Sequence, residues 1–149
     1  MYLDSSDSLS TRPQNTWYDF ICDFTPEIVL EDNCPFGLRA CNWSFALVEL
    51  SIVKGADKRL TLPKSIAIQC DLARESHIKA VSRPILRTIP ATTDVSASLG
   101  QTFYVDVIRH RFTSIAIKLL ERDLTPIALN EAWPTKDSHL RCTLHFVRN

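Results

Sequence analysis

Apolar residues in this chain recur at every second position within short segments, and the prolines stand between those segments rather than inside them. A period of two sends alternate side chains to opposite faces of an extended backbone, so the pattern favours strands over helices. From Trp17 to Phe24, the residues Tyr18, Phe20, Cys22 and Phe24 share one face, opposite Asp19, Ile21 and Asp23. Trp43 to Val53 is apolar on both sides, with Trp43, Phe45 and Leu47 opposing Ala46, Val48, Leu50 and Ile52. Such a segment predicts a central strand covered from two directions, with Glu49 marking where one face opens to water.

Further along, Ile66, Ile68 and Cys70 predict a short strand, and Ile85 to Ile89 another between Pro84 and Pro90. Phe103, Val105 and Val107 alternate with Tyr104 and Asp106, and Phe112 to Leu120 places Ile115, Ile117 and Leu119 together. Pro126 to Leu129 reads as a short edge strand, and Leu140, Cys142, Leu144 and Phe146 alternate with Arg141, Thr143 and His145. Asp71 to Val81 has room for one turn of helix but lacks a 3.6-residue apolar stripe. Residues 91–101 form the longest polar loop.

These elements predict an all-β domain of about eight antiparallel strands, either a jelly roll or an immunoglobulin-like sandwich. The order Cys22, Trp43, Cys70 keeps the second alternative open. A polar, serine-rich start argues against a secretory leader, so the cysteines are expected as free, small apolar residues in a reducing compartment. No run approaches the roughly 20 apolar residues that a spanning helix needs. Within 149 residues, 17 Lys and Arg balance 17 Asp and Glu. A coat for nucleic acid ordinarily carries a basic excess, so no specific nucleic-acid partner is expected.

No catalytic motif emerges: there is no Gly-x-Ser-x-Gly elbow, phosphate-cradling glycine loop or His-Glu-x-x-His. His139, Cys142 and His145 cluster in sequence, but on an extended strand Cys142 points away from both histidines. No metal, cofactor or catalytic residue is therefore expected. A metal-dependent enzyme on a cupin-like jelly roll would need several histidines and a carboxylate around one ion. Four residues are candidates for partner contact. Arg109, His110 and Arg111 form a basic step between two strands, read as a solvated turn or a patch for an acidic partner. Trp133, beside Pro134 in a polar segment, is the tryptophan best placed to anchor a partner.

Three blocks carry a family resemblance. The first runs from Trp17-Tyr18-Asp19-Phe20 through Pro26-Glu27-Ile28-Val29-Leu30 to Trp43-Ser44-Phe45-Ala46-Leu47-Val48-Glu49-Leu50. The second joins Ile68-Gln69-Cys70-Asp71-Leu72 to Arg83-Pro84-Ile85-Leu86-Arg87-Thr88-Ile89-Pro90. The third extends from Phe103-Tyr104-Val105 through Arg109-His110-Arg111-Phe112 and Ile115-Ala116-Ile117, past Thr125-Pro126-Ile127, to Cys142-Thr143-Leu144-His145-Phe146. In order and spacing they resemble the single-jelly-roll minor capsid, or penton, proteins of Polinton/Maverick elements and adintoviruses.

The resemblance implies one jelly-roll domain over residues 17–149, preceded by a short flexible arm over 1–16 that becomes ordered on assembly. It implies a homopentamer at capsid vertices that meets the major capsid protein, made in the host cytoplasm or nucleus and resident in the virion. The chain departs from the family in its short Ser51 to Leu62 connection, and in Arg122-Asp123-Leu124 where relatives have an aspartate-glycine turn. Two alternatives stand beside this role. One is a cement-type minor capsid protein; the other is an intracellular β-sandwich that binds carbohydrate or peptide through aromatics such as Tyr104 and Trp133.

Overall fold

The computed structural model describes residues 2–4, 12, 18–30, 42–53, 63–78, 80–90, 96–99, 101–127 and 139–149. Among them are eleven strands and no helix. In chain order these are β1 (Tyr2–Asp4), β2 (Asp19–Val29), β3 (Trp43–Val53), β4 (Ser65–Cys70), β5 (Ser76–Ile78), β6 (Val81–Arg83), β7 (Ile85–Pro90), β8 (Ser96–Ser98), β9 (Val105–Asp106), β10 (Arg111–Glu121) and β11 (His139–Arg148). One sheet has the order β1-β11-β3-β8, with β9 also on β3; the second has β2-β10-β4-β7; β5 and β6 form a separate ribbon. All pairings are antiparallel.

Setting the ribbon aside and counting β8 with β9 as one interrupted strand leaves eight. The first pairs with the last, the second with the seventh, the third with the sixth and the fourth with the fifth. The chain is thus a nested antiparallel ribbon. Rolling that ribbon brings β3 against β11 and β4 against β10, which closes the two sheets face to face over one core.

That core draws Phe20 and Cys22 from β2, Ile66, Ile68 and Cys70 from β4, and Ile115, Ile117 and Leu119 from β10. Phe45, Leu47 and Leu50 of β3 meet them from the other sheet, with Cys142, Leu144 and Phe146 of β11. Alternation on β2, β4, β10 and β11 thus places the expected residues inside. Cys22, Cys70 and Cys142 are free and buried, so no Cys22–Cys70 bridge spans the sandwich. Cys34, Cys41 and Trp17 lie outside the described residues.

Strand β3 departs from the expected two-faced pattern. Its register on β11 passes from Glu49↔Thr143 directly to Leu47↔Leu144, so Val48 is an extra residue in a β-bulge. The bulge reverses the phase and returns Leu50 to the face that holds Phe45 and Leu47. What reads as two apolar faces is mainly one face interrupted once. Among the described side chains of β3, burial on the opposite face is complete only at Ser44 and Ala46.

Four further expectations change. The segment at 71–81 makes no helical turn: Ser76–Ile78 and Val81–Arg83 form a hairpin, with Ala80 at φ 64°. Within the polar loop at 91–101, Ser96–Ser98 pairs with Glu49–Ser51 as β8. Pro126 to Leu129 is no strand over its described part, because Pro126 makes only an isolated bridge to Leu120 while Ile127 enters the core. Pro26 falls inside β2, where the register on β10 jumps from Phe112↔Ile28 to Ser114↔Asp23. A proline is tolerated there because β2 is an edge strand and the ladder is already interrupted.

At the N-terminus, Tyr2–Asp4 pairs with β11 as an edge strand of the first sheet. Arg12 binds Asp23 of β2 through two hydrogen bonds of 2.5 and 2.6 Å. That pair holds the Asp23 carboxyl below the usual carboxylate range.

Leu124 has φ 67° in the tight turn after β10, the left-handed region that favours glycine. The leucine is kept by packing against Ala67, Ile85 and Leu120 on the outer side of the second sheet. Asp123 supports the turn by accepting the Thr125 N–H at 3.1 Å and its hydroxyl at 2.6 Å. Leu124→Ala keeps the backbone strain and loses the packing, so it should destabilise by about 1 kcal/mol. Leu124→Gly loses the same packing but relieves the strain, and should recover about half of that or more. Urea unfolding of the three proteins tests the order leucine, glycine, alanine.

Candidate functional site

Residues 105–111 carry the chain from one sheet to the other. Val105 and Asp106 pair with Phe45 and Ser44 of β3, and the Val107 N–H donates to the Trp43 carbonyl at 2.9 Å. The next residue already belongs to the other sheet: the Ile108 N–H donates to the Leu72 carbonyl at 3.0 Å. The Arg74 N–H returns a bond of 3.2 Å to the Asp106 carbonyl. A corner this tight leaves little freedom for the basic step that follows.

The Arg109 guanidinium donates to Oδ2 of Asp71, immediately past β4. Oδ1 of Asp71 accepts the Ala116 N–H at 2.9 Å, while the Asp71 N–H donates to the Ala116 carbonyl at 3.1 Å. The carboxylate therefore acts as a surrogate backbone acceptor and extends the β4–β10 ladder one step beyond Cys70. The His110 carbonyl accepts the Leu30 N–H at 2.8 Å. Arg111 donates to Oε2 of Glu27 on β2 at 3.0 Å. The cluster is thus brought to one corner, but its two arginines reach toward different strands and each meets a carboxylate of the same chain. Both stay partly exposed, Arg111 more than Arg109.

Trp133 lies outside the described residues, as does the side chain of His139. Cys142 is buried in the core, and His145 faces the opposite way, where the Tyr104 hydroxyl and His145 Nδ1 share a 2.8 Å hydrogen bond. Tyr104 sits one residue before the Val105↔Phe45 pair, so Ala46 lies between the two partners. A side chain as small as that of Ala46 leaves room for Tyr104 to reach His145. Among the described residues, no group of three or more His, Cys, Asp or Glu converges as a metal site would require.

Two features escaped the alternation pattern. Phe103 reads as an inward residue but is 52% exposed, because the chain between β8 and β9 arches toward the other sheet. Arg87 of β7 holds that arch: it donates to the Gln101 carbonyl at 2.6 Å and lies over the Phe103 ring at 5.1 Å. An arginine flanked by apolar strand residues was the available signal. The second feature is a cleft of about 410 Å³ at the corner, bordered by Asn42, Trp43, Arg74, Asp106, Val107 and Ile108. Ile108, 56% exposed, stands at its rim.

No protein-family model, curated protein or solved structure matches this chain.

The corner makes two predictions. Asp71→Ala removes a ladder acceptor and an ion pair together, and should cost about 2 kcal/mol in denaturant unfolding. Asp71→Asn retains the acceptor and should cost about half as much, while Arg109→Ala, losing an exposed pair only, should cost less than about 1 kcal/mol. Burial pushes the neighbouring Cys70 thiol up to about 12. Folding thus favours its neutral form, a contribution full below the ordinary thiol pKa and lost as pH rises from there toward 12. At about pH 8, below the ordinary thiol pKa, peptide mapping after alkylation should find Cys70 modified only when denaturant is present. Modification of the folded protein at the rate of a free thiol would contradict this burial.

Proposed function

We propose that this chain is a structural capsid subunit: a single jelly roll of the penton, or minor capsid, type. It forms homopentamers at icosahedral vertices and contacts the major capsid protein. The observation that carries the reading is the nested strand pairing, first with last and inward to fourth with fifth. That ribbon, rolled into two facing sheets, is the arrangement a jelly roll requires. It joins the three sequence blocks that resemble the penton proteins, and the corner fits the same role. Asp71 and Arg109, at matching places in the second and third blocks, hold the two segments together.

A capsid subunit works through shape and surface rather than a reacting group, so this reading assigns no catalytic role and no cofactor. Four strands of ten or eleven residues give the sandwich long, stiff walls. A formal charge of zero suits close packing of identical copies, which a large charge of one sign would oppose. The virion is the place of action that follows.

Light scattering coupled to size exclusion, run across a concentration series, should show a defined oligomer larger than a dimer. Imaging of particles formed with the major capsid protein should place its density at the five-fold axis. A protein that stays monomeric at high concentration and is absent from particles would overturn the reading.

A further inference from the structure

Beside the Asp71–Arg109 pair, the corner carries a cleft of about 410 Å³ that assembly does not require. Its volume falls within the range of about 300–1,000 Å³ that small-molecule sites occupy. Trp43, Val107 and Ile108 supply the apolar part of its border. Trp43 opens β3 and packs against the core while staying partly exposed, so the cleft has a fixed aromatic wall.

The polar part comes from Asn42, Arg74 and Asp106. The buried Ser44 hydroxyl positions Asp106, donating to its Oδ1 at 3.5 Å while accepting the Asn149 side-chain amide at 2.6 Å. Arg74 donates to Oδ2 at 3.4 Å. Both bonds to the carboxylate are long, so it retains acceptor capacity. The remaining donors of the Arg74 side chain have no partner among the described residues. Both side chains are largely exposed, at 75% and 55%, and such a pair opens to a ligand at low cost.

Two properties of the cleft select a class of ligand. Its border carries one cation and one anion, which favours a molecule without net charge. Its backbone groups are also largely engaged. The N–H groups of Val107, Ile108 and Arg74 bond to carbonyls within the corner, and the Asn42 carbonyl accepts the Asn149 N–H at 2.9 Å. A peptide recognised by strand addition would need such groups open. What the cleft offers instead is a carboxylate that accepts, a guanidinium that donates and an amide that does both, beside an aromatic wall. Sugar hydroxyls both donate and accept, and an adjacent pair matches the two oxygens of a carboxylate or the fork of a guanidinium. The C–H faces of a sugar ring supply the apolar surface that an indole covers.

We infer that this cleft binds a neutral carbohydrate, with one sugar ring against Trp43 and its adjacent hydroxyls shared between Asp106 and Arg74. The site lies within one copy of the chain, so it stands or falls independently of the capsid reading.

Ligand-detected NMR on the full-length chain, with a panel of methyl glycosides and neutral oligosaccharides, tests this, followed by calorimetric titration of those that bind. At least one should bind saturably, with saturation transfer strongest to its ring C–H protons. Arg74→Ala and Asp106→Ala should each weaken that binding about tenfold or more. Thermal melts establish that the variants are folded; should Asp106→Ala impair folding, Asp106→Asn and Arg74→Gln test the same contacts. Raising salt from about 50 to about 500 mM should change the affinity less than about threefold. Absence of binding across the panel, or binding that the folded variants leave unchanged, overturns the inference. So does a steep loss of binding with salt, which would mark a charged ligand. A capped neutral peptide that binds in place of the sugars, and is lost in the same variants, also overturns it.

Discussion

Phe45 and Phe146 stack at 5.3 Å within one sheet, and Phe146 meets Phe112 of the facing sheet at 6.1 Å. Phe112 in turn meets Phe24 edge-on at 6.3 Å. One ring from each of the four long strands therefore joins a single chain of contacts that crosses from sheet to sheet. Aromatic pairs of this kind each add about 0.5–1.5 kcal/mol beyond the area they bury. Their larger effect is geometric. Slipping any of these strands by one residue would turn its ring out of the core, so the four registers depend on one another. The Val48 bulge belongs to the same constraint, since it keeps Leu50 inside on a strand whose other end is fixed by Phe45.

The strands that build this core were legible because burial of one face imposes period two over five or more residues. β2, β4, β10 and β11 were recognisable for that reason, and β7 from the apolar residues between Pro84 and Pro90. β3 was recognisable as a strand, but its faces were misassigned, because a bulge removes one residue from the phase without changing composition. β8 was not legible at all: Ser96-Ala97-Ser98 has no apolar alternation, and its strand character comes entirely from pairing with β3. The β5–β6 hairpin was equally silent, since its turn uses Ala80 in a left-handed conformation where glycine would have given the signal.

The candidate site divides along similar lines. Arg109, His110 and Arg111 could be identified from their local charge, but their partners could not. Asp71 and Glu27 lie 38 and 84 residues away from the arginines that they bind, and only the nested pairing of strands brings them near. Asp71 also does something that no pairwise motif announces, since one oxygen substitutes for a backbone acceptor while the other meets a guanidinium. Its role depends on lying just where β4 ends and β10 continues.

That use of charge bears on how copies of this chain meet. An open sheet edge invites another strand to add to it, and this sandwich blunts its edges instead. β2 is interrupted at Pro26 and carries a carboxylate at every fourth position, β7 lies between Pro84 and Pro90, and β1 is only three residues long. Strand addition is therefore opposed at each of these edges, and side chains are left to mediate contact. At the corner the arginines are already turned inward onto the chain's own acids, where they stiffen the crossing between sheets. A protein built in this way keeps these backbone edges closed to other chains and leaves its surface side chains as the means of contact.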